Sequence, residues 1–188
     1  MTRVTNDGRR WSNAEEDRVD LVDYDPRWPS MFDAEAGRLR TVLTGLDLGP
    51  FHLEHFGSTA IPGIAAKPII DIMLVAADRS RWPAVIEPIQ SLGYVHWAEN
   101  PRRDRMFFVK GMPPFGPRRT HHVHVRAPDD ARPALVFCEY LRRHPDAVAR
   151  YARLKRELQA RHPTDREAYT AGKAEFVAEI VREADARS

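Results

Sequence analysis

At 188 residues, 43% of them apolar and 30% charged, the chain has the length of one domain rather than two. Folding at that size hides roughly 70% of the surface an unfolded chain exposes, so stability requires neither a disulfide nor a structural metal. The single Cys138 cannot form an internal disulfide, which excludes the disulfide-rich secreted class and favours a reducing compartment. The 29 basic and 27 acidic residues leave a formal charge of +2, too balanced to coat a phosphate backbone, so nucleic acid is not an expected partner. The polar start MTRVTNDGRR lacks the apolar stretch of a signal peptide, and no later run approaches the ~20 apolar residues of a membrane helix, so a soluble cytoplasmic protein without membrane contact is expected.

Residues 1–18 mix Arg, Asp, Glu, Asn and Gly with little apolar content and read as a flexible tail. A short alternating stretch and a proline-bounded turn follow. Trp28, Phe32, Leu39, Val42, Leu43 and Leu46 then share a helix face, with Pro29 and Ser30 at its start and Gly45 near its end. FHLEHFGS is a strand running into a glycine turn, and STAIPGIAAKP, with two prolines and a glycine, is a loop. IIDIMLVA is an apolar run of strand length interrupted by one acid, the pattern of a strand covered on both faces. Residues 81–92 form a helix that Pro88 kinks or shortens. Three strands follow, GYVHWAE, DRMFFVKG and RTHHVHVR, and from Asp130 onward three helices separated by HP dipeptides. This order gives a mixed sheet with a helical C-terminal region.

The densest chemistry runs from Glu54 to Asp71. A glycine and a serine at a strand-to-loop turn let backbone N–H groups and a hydroxyl approach a phosphate. An acid inside a buried apolar strand is costly unless it is paired or binds a metal. Side chains two apart share a face. Asp71 therefore lies with Met73, His122 with His124, and Glu54 with His52 and Phe56. If the three strands are neighbours, Glu54, Asp71, His122 and His124 converge on one polar face, a set of oxygen and nitrogen ligands suited to a divalent cation. The alternative reading is an ion-paired aspartate and two hydrogen-bonded sheet histidines. No HExxH or CxxC zinc pattern is present.

The chain contains only four lysines, Lys67, Lys110, Lys155 and Lys173, among many arginines, which marks them as places where a compact ammonium is wanted. Tyr151 precedes Lys155, and Tyr169 precedes Lys173, each by four residues and so on one helix face. Such pairs either hold a base and a phosphate or cover the sheet with their polar tips in water. Arg102, Arg103, Arg105, Arg118 and Arg119 form either a phosphate rim or a solvated surface. Ser58 is not in a GxSxG context, and Cys138 sits in an apolar helical stretch, so neither reads as a nucleophile.

HLEHFGSTAIPGIAAKPIIDIMLVA resembles the signature of the GrpB family, and YDPRWPSMF, LGY, THHVHV, FCEYLRRHPDAVARYARLK and YTAGKAEFV extend the resemblance over about residues 19–182. GrpB-like proteins are similar in fold to the nucleotidyltransferase superfamily. The resemblance implies an α+β (α/β mixed sheet) fold in one domain over 19–188, with a sheet core at about 51–126 and a helical region at about 130–185. In active members of that superfamily a Gly-Ser turn binds nucleoside triphosphate (NTP) phosphates, and a D-x-D pair with a third strand acid binds magnesium. Gly57 and Ser58 match the turn and Asp71 the first acid; Met73 stands at the second acid position and histidines at the third. The implied activity is metal-dependent nucleotidyl or phosphoryl transfer from an NTP to a small acceptor. Gly57, Ser58, Thr59, Lys67, Tyr151, Lys155 and Lys173 would bind substrate phosphates. Asp71, Glu54, His122 and His124 would hold Mg2+ or another divalent cation, and Glu54 or His124 would act as base beside Asp71. The rival expectation is a catalytically silent nucleotide-binding or regulatory module of the same fold, and a structural RNA-associated domain is a third.

Overall fold

The computed structural model describes residues 3–4, 10–11, 18–100, 104–112 and 115–187. Most of the expected tail lies outside the described residues; within it β1 (Arg3–Val4) pairs antiparallel with β2 (Arg10–Trp11). The body is a five-stranded mixed sheet of β3 (Phe51–Phe56), β4 (Ile70–Ala76), β5 (Tyr94–His96), β6 (Met106–Lys110) and β7 (His121–Arg126), in the order β3-β4-β7-β6-β5. All neighbours are antiparallel except β4 and β7, which are parallel.

β4 lies second from one edge and is covered on both faces, as its apolar run requires. On one face Ile72 and Leu74 join Trp28, Leu39 and Leu43 of helix α1 (Trp28–Leu43) and Ile89 of α2 (Ile86–Ser91) in the larger core. On the other face Met73 and Val75 pack against Ala131 of α3 (Pro128–Arg143). Helix α3, α4 (Pro145–Arg161) and α6 (Ala174–Asp185) bury a second core with Ile61 and Ile64 of the loop between β3 and β4. Prolines begin α1, α3 and α4, where a missing N–H is harmless. His144-Pro145 separates α3 from α4, as the HP dipeptide predicts.

Two expected helices take a different form. Residues 81–92 depart from the expected single helix: Arg79–Val85, with Pro83 inside it, is a 3-10 helix and only Ile86–Ser91 is α-helical. A proline cannot supply the interior N–H, so the tighter turns come first. The last expected helix divides into α5 (Arg166–Ala171) and α6, with Gly172 capping the first. The alternating stretch before α1 makes only an isolated bridge, Val22 to Ala66. No described helix is long and apolar enough to cross a membrane.

Candidate functional site

The register of the sheet builds the site. Phe56, Asp71 and His122 stand opposite one another across β3, β4 and β7, and Glu54, Met73 and His124 form the next row. Because the side-chain period is two, both rows face the same side of the sheet. Asp71 accepts a hydrogen bond from His122 Nδ1 at 2.9 Å, and His124 Nε2 lies 3.5 Å from the same carboxylate oxygen. Arg105 donates to His124 Nδ1 at 3.0 Å; a guanidinium cannot accept, so the His124 proton is on Nε2 and points at Asp71. His122 Nε2 is buried and, among the described residues, has no hydrogen-bond partner. Burial pushes the Asp71 carboxyl up, but the hydrogen bonds from His122 and His124 outweigh it and hold the group well below the usual carboxylate range. Burial lowers His122 to about 3 and His124 to about 4 against the pull of Asp71. At neutral pH the cluster is therefore one carboxylate facing two neutral imidazoles.

Gly57 sets the approach of the turn to this carboxylate. Its backbone has φ +75° and ψ −170°, a region that is essentially glycine-only. A Cβ built there would lie 2.7 Å from Asp71 Oδ2. The following residues, Ser58–Ala60, form a single 3-10 turn closed by Ala60 N–H to the Gly57 carbonyl at 3.2 Å.

Next to the cluster opens a cavity of about 440 Å³, lined on one side by Lys67, Lys155, Lys173 and Arg166 together with Ser58, Tyr151 and Tyr169. Lys155 is 1% exposed, so its tip is not in water; its Nζ donates to the Ala65 carbonyl and lies 5.4 Å from the Tyr151 ring centroid. Lys67 and Lys173 both sit over the Tyr169 ring, at 5.2 and 4.3 Å. Among the described residues none of the three lysines pairs with a carboxylate. Desolvation, reinforced by Lys173, lowers Lys155 to about 7; desolvation lowers Lys173 to about 8; and desolvation, reinforced by Arg166, holds Lys67 well below its ordinary value. An unpaired buried ammonium is costly, and a polyanion in the cavity would relieve all three.

This predicts an unusual pH dependence. Between pH 7 and the ordinary lysine value of 10.5 the unfolded chain binds more protons than the folded one, so stability rises as pH rises through that window. Thermal melts of the ligand-free protein should shift upward from pH 7 to pH 9, and Lys155→Met should melt higher at pH 7 with a flatter slope. Parallel curves for the two proteins would show that Lys155 keeps an ordinary pKa.

Several residues singled out from sequence are placed differently. Glu54 shares the face of Asp71 but is exposed at the edge strand, beyond the fully buried Met73, and lines a separate cavity with Cys138, Glu139 and Arg142. It is not part of the group Asp71, His122 and His124, whose ligand atoms lie within 4.8 Å of one another. Its expected roles as metal ligand and base therefore find no support, because Met73 stands between it and His124. The expected base His124 has its Nδ1 occupied by Arg105, while its buried Nε2 makes only a long 3.5 Å contact with Asp71. Thr59 borders the cavity, but its hydroxyl donates to the Ile69 carbonyl at 3.3 Å and contacts His55 Nε2 at 3.1 Å, bracing the loop instead of awaiting a phosphate. Arg105 and Arg119 reach the cavity, Arg118 is exposed away from it, and Arg102 and Arg103 lie outside the described residues. Trp97, Asn100 and Arg166 also line the cavity; no spacing in the sequence distinguished them. Cys138 is 2% exposed, and burial raises its thiol to about 11, in keeping with an inert core residue.

A mixed five-stranded sheet backed by α1 and α2 and capped by a C-terminal helical layer, with an Asp-His-His cluster beside a lysine-lined cavity, defines an α+β domain with a polar pocket on one sheet face. Residues 18–183 match the family model described as GrpB protein, and the chain belongs to the GrpB family. A UPF0157 protein of Pseudomonas aeruginosa is 53% identical over 175 residues, which make up 93% of this chain and 71% of that protein. The crystal structure of conserved protein GrpB from Enterococcus faecalis aligns with a TM-score of 0.73 at 32% identity, over 88% of this chain and 96% of that one. The structure of Cid1 in complex with its short product ApU is far more distant, at 14% identity and a TM-score of 0.46 over 74% of this chain and 39% of that one, and carries no argument about chemistry.

Proposed function

We propose that the cavity binds a nucleoside triphosphate together with a divalent cation and supports transfer of a nucleotidyl or phosphoryl group to a small acceptor. The observation that carries this reading is the meeting, in one cavity, of three desolvated lysines that have no carboxylate partner among the described residues and the buried Asp71-His122-His124 cluster. Lys67, Lys155 and Lys173 bind the phosphate chain, and Ser58, beside Tyr151, orients it. Asp71, His122 and His124 fit a cation in place of the two N–H protons now directed at Asp71, provided Arg105 releases His124 Nδ1 to take up the displaced proton. One carboxylate with two imidazoles suits Mn2+, Fe2+ or Zn2+ better than Mg2+, which prefers an all-oxygen shell. The cation, when bound, supplies Lewis-acid stabilisation of charge on the transferring phosphoryl group. In the transfer the acceptor oxygen forms a bond to phosphorus and gives up its hydroxyl proton to solvent water, the bond to the leaving phosphate oxygen breaks, and the leaving pyrophosphate or nucleoside diphosphate departs with that electron pair.

Met73 in the place of a second acid favours a second reading, a nucleotide-binding module without turnover, since two-metal transfer needs more carboxylate oxygens than Asp71 alone provides. Calorimetric titration of NTPs with and without Mn2+, alongside 31P NMR for released phosphate or pyrophosphate, separates the two. Asp71→Asn keeps the volume and an acceptor for His122, so it should leave the melting temperature within a few degrees while weakening Mn2+-dependent triphosphate binding at least tenfold. A large loss of stability with triphosphate binding intact would instead make Asp71 a structural partner of the histidines.

A further inference from the structure

We infer that the wall of the cavity facing the lysines is a nucleobase subsite, with Trp97 supplying a ring face and Asn100 reading the ring edge. This rests on the nucleotide reading above and adds the part of the ligand that the phosphates do not specify.

The tyrosines that accompany the lysines cannot stack a base. Tyr169 already carries Lys67 and Lys173 over its ring, and Tyr151 is stacked with Phe176 at 5.5 Å and edge-packed with Phe137 at 5.1 Å. The opposite wall has a different composition. β5 continues past His96 with Trp97 N–H donating to the Phe107 carbonyl at 2.8 Å, and the chain turns so that Asn100 N–H donates to the Trp97 carbonyl at 3.3 Å. That turn brings Trp97 and Asn100 to the same cavity. Asn100 is only 4% exposed on a ligand-sized cavity wall, and an amide, with two N–H donors and an oxygen of two lone pairs, can serve the edge of a heterocycle alongside a partner within the protein. Indole faces stack any base, which supplies affinity, while the amide supplies choice among bases.

The two walls are joined by the Asp71 cluster. Trp97 packs on Phe107, whose ring lies 5.0 Å from that of His122 and 4.7 Å from that of His124. A ligand stretched across the cavity would therefore place its ring at Trp97, its phosphates at the lysines, and the bond between them beside Asp71.

The test is calorimetric titration of the full chain with ATP, GTP, CTP, UTP and inorganic tripolyphosphate, each with Mn2+, on the parent, Trp97→Leu and Asn100→Ala. The parent should bind its best NTP at least tenfold tighter than tripolyphosphate. Trp97→Leu should reduce that NTP to the affinity of tripolyphosphate, whose own binding stays unchanged. Asn100→Ala should flatten the differences among the four NTPs, so the subsite is still tested should the indole variant fail to fold. An NTP no tighter than tripolyphosphate, or both variants retaining parental NTP binding and selectivity, overturns the subsite while leaving the phosphate reading standing. Failure of tripolyphosphate itself to bind the parent removes the nucleotide reading and the subsite with it.

Discussion

Glu35→Ala should lower the stability of the protein by about 3–5 kcal/mol in denaturant titrations at neutral pH, the cost of breaking a buried ion pair from one side. The Glu35 side chain on α1 is 5% exposed and receives Lys110 Nζ at 2.6 Å. It also accepts from the Tyr94 hydroxyl at 2.9 Å and lies 3.5 Å from the exposed Arg38. Tyr94 and Lys110 are register partners in β5 and β6, so one carboxylate ties the first helix to the far edge of the sheet. Alanine would leave a half-buried ammonium and a buried phenol without their acceptor. Glu35→Gln combined with Lys110→Met keeps an acceptor for Tyr94 and removes the stranded charge, and should recover most of the loss. Burial works to raise the Glu35 carboxyl, but Lys110 and Tyr94 hold it below its ordinary 4.5, so its contribution is present above that pH and fades below it. The gap between parent and Glu35→Ala should therefore narrow in acid; a gap independent of pH would mean that the loss comes from packing alone. Glu35 lies on the face of the sheet away from the cavity, so ligand binding by the folded fraction should not change.

How far the sequence disclosed this arrangement depends on the kind of signal. Strand periodicity placed Asp71, His122 and His124 on one face, and the register pairs Asp71 directly with His122. The same rule also put Glu54 on that face, correctly, yet it could not show that the fully buried Met73 would separate Glu54 from the histidines. A period of two specifies a face and says nothing of position along or across the sheet. The scarcity of lysine was informative in a way that charge counting is not: none of the four is solvent-exposed, three lining the cavity and the fourth pairing with Glu35. Their helical spacing to Tyr151 and Tyr169 showed which side chains meet, but not that the lysine tips turn inward, since that depends on the loop carrying Ala65 and Lys67 closing over α4. Asn100 was illegible because it belongs to an irregular turn, where no periodicity links a residue to a face; Trp97 falls in the expected strand GYVHWAE, but a period of two could not show that its face reaches the cavity.

Gly57→Ala should abolish triphosphate and Mn2+ binding in calorimetry and cost about 2–4 kcal/mol of stability, with backbone strain of about 1–3 kcal/mol forming one part. The other part is specific to the site. The new methyl would lie 2.7 Å from Asp71 Oδ2 and 3.2 Å from its Cβ, distances that close packing does not tolerate. Either the turn lifts away, breaking the Cys138 contact with the Gly57 carbonyl, or the carboxylate rotates and loses His122. Both outcomes disassemble the cluster, and neither can be relieved cheaply because His122 and His124 are packed against Phe107 and Phe56. Gly63 provides the control: its φ of +76° is nearly the same as that of Gly57, but a Cβ there would meet nothing within 4 Å. Gly63→Ala should therefore carry the strain of its own positive φ without a steric clash, and leave binding intact. If Gly57→Ala and Gly63→Ala lose equal stability and both keep their ligands, the contact between the turn and Asp71 has no part in the site. A loss of binding confined to Gly57→Ala, with Gly63→Ala unaffected, is the result the geometry requires.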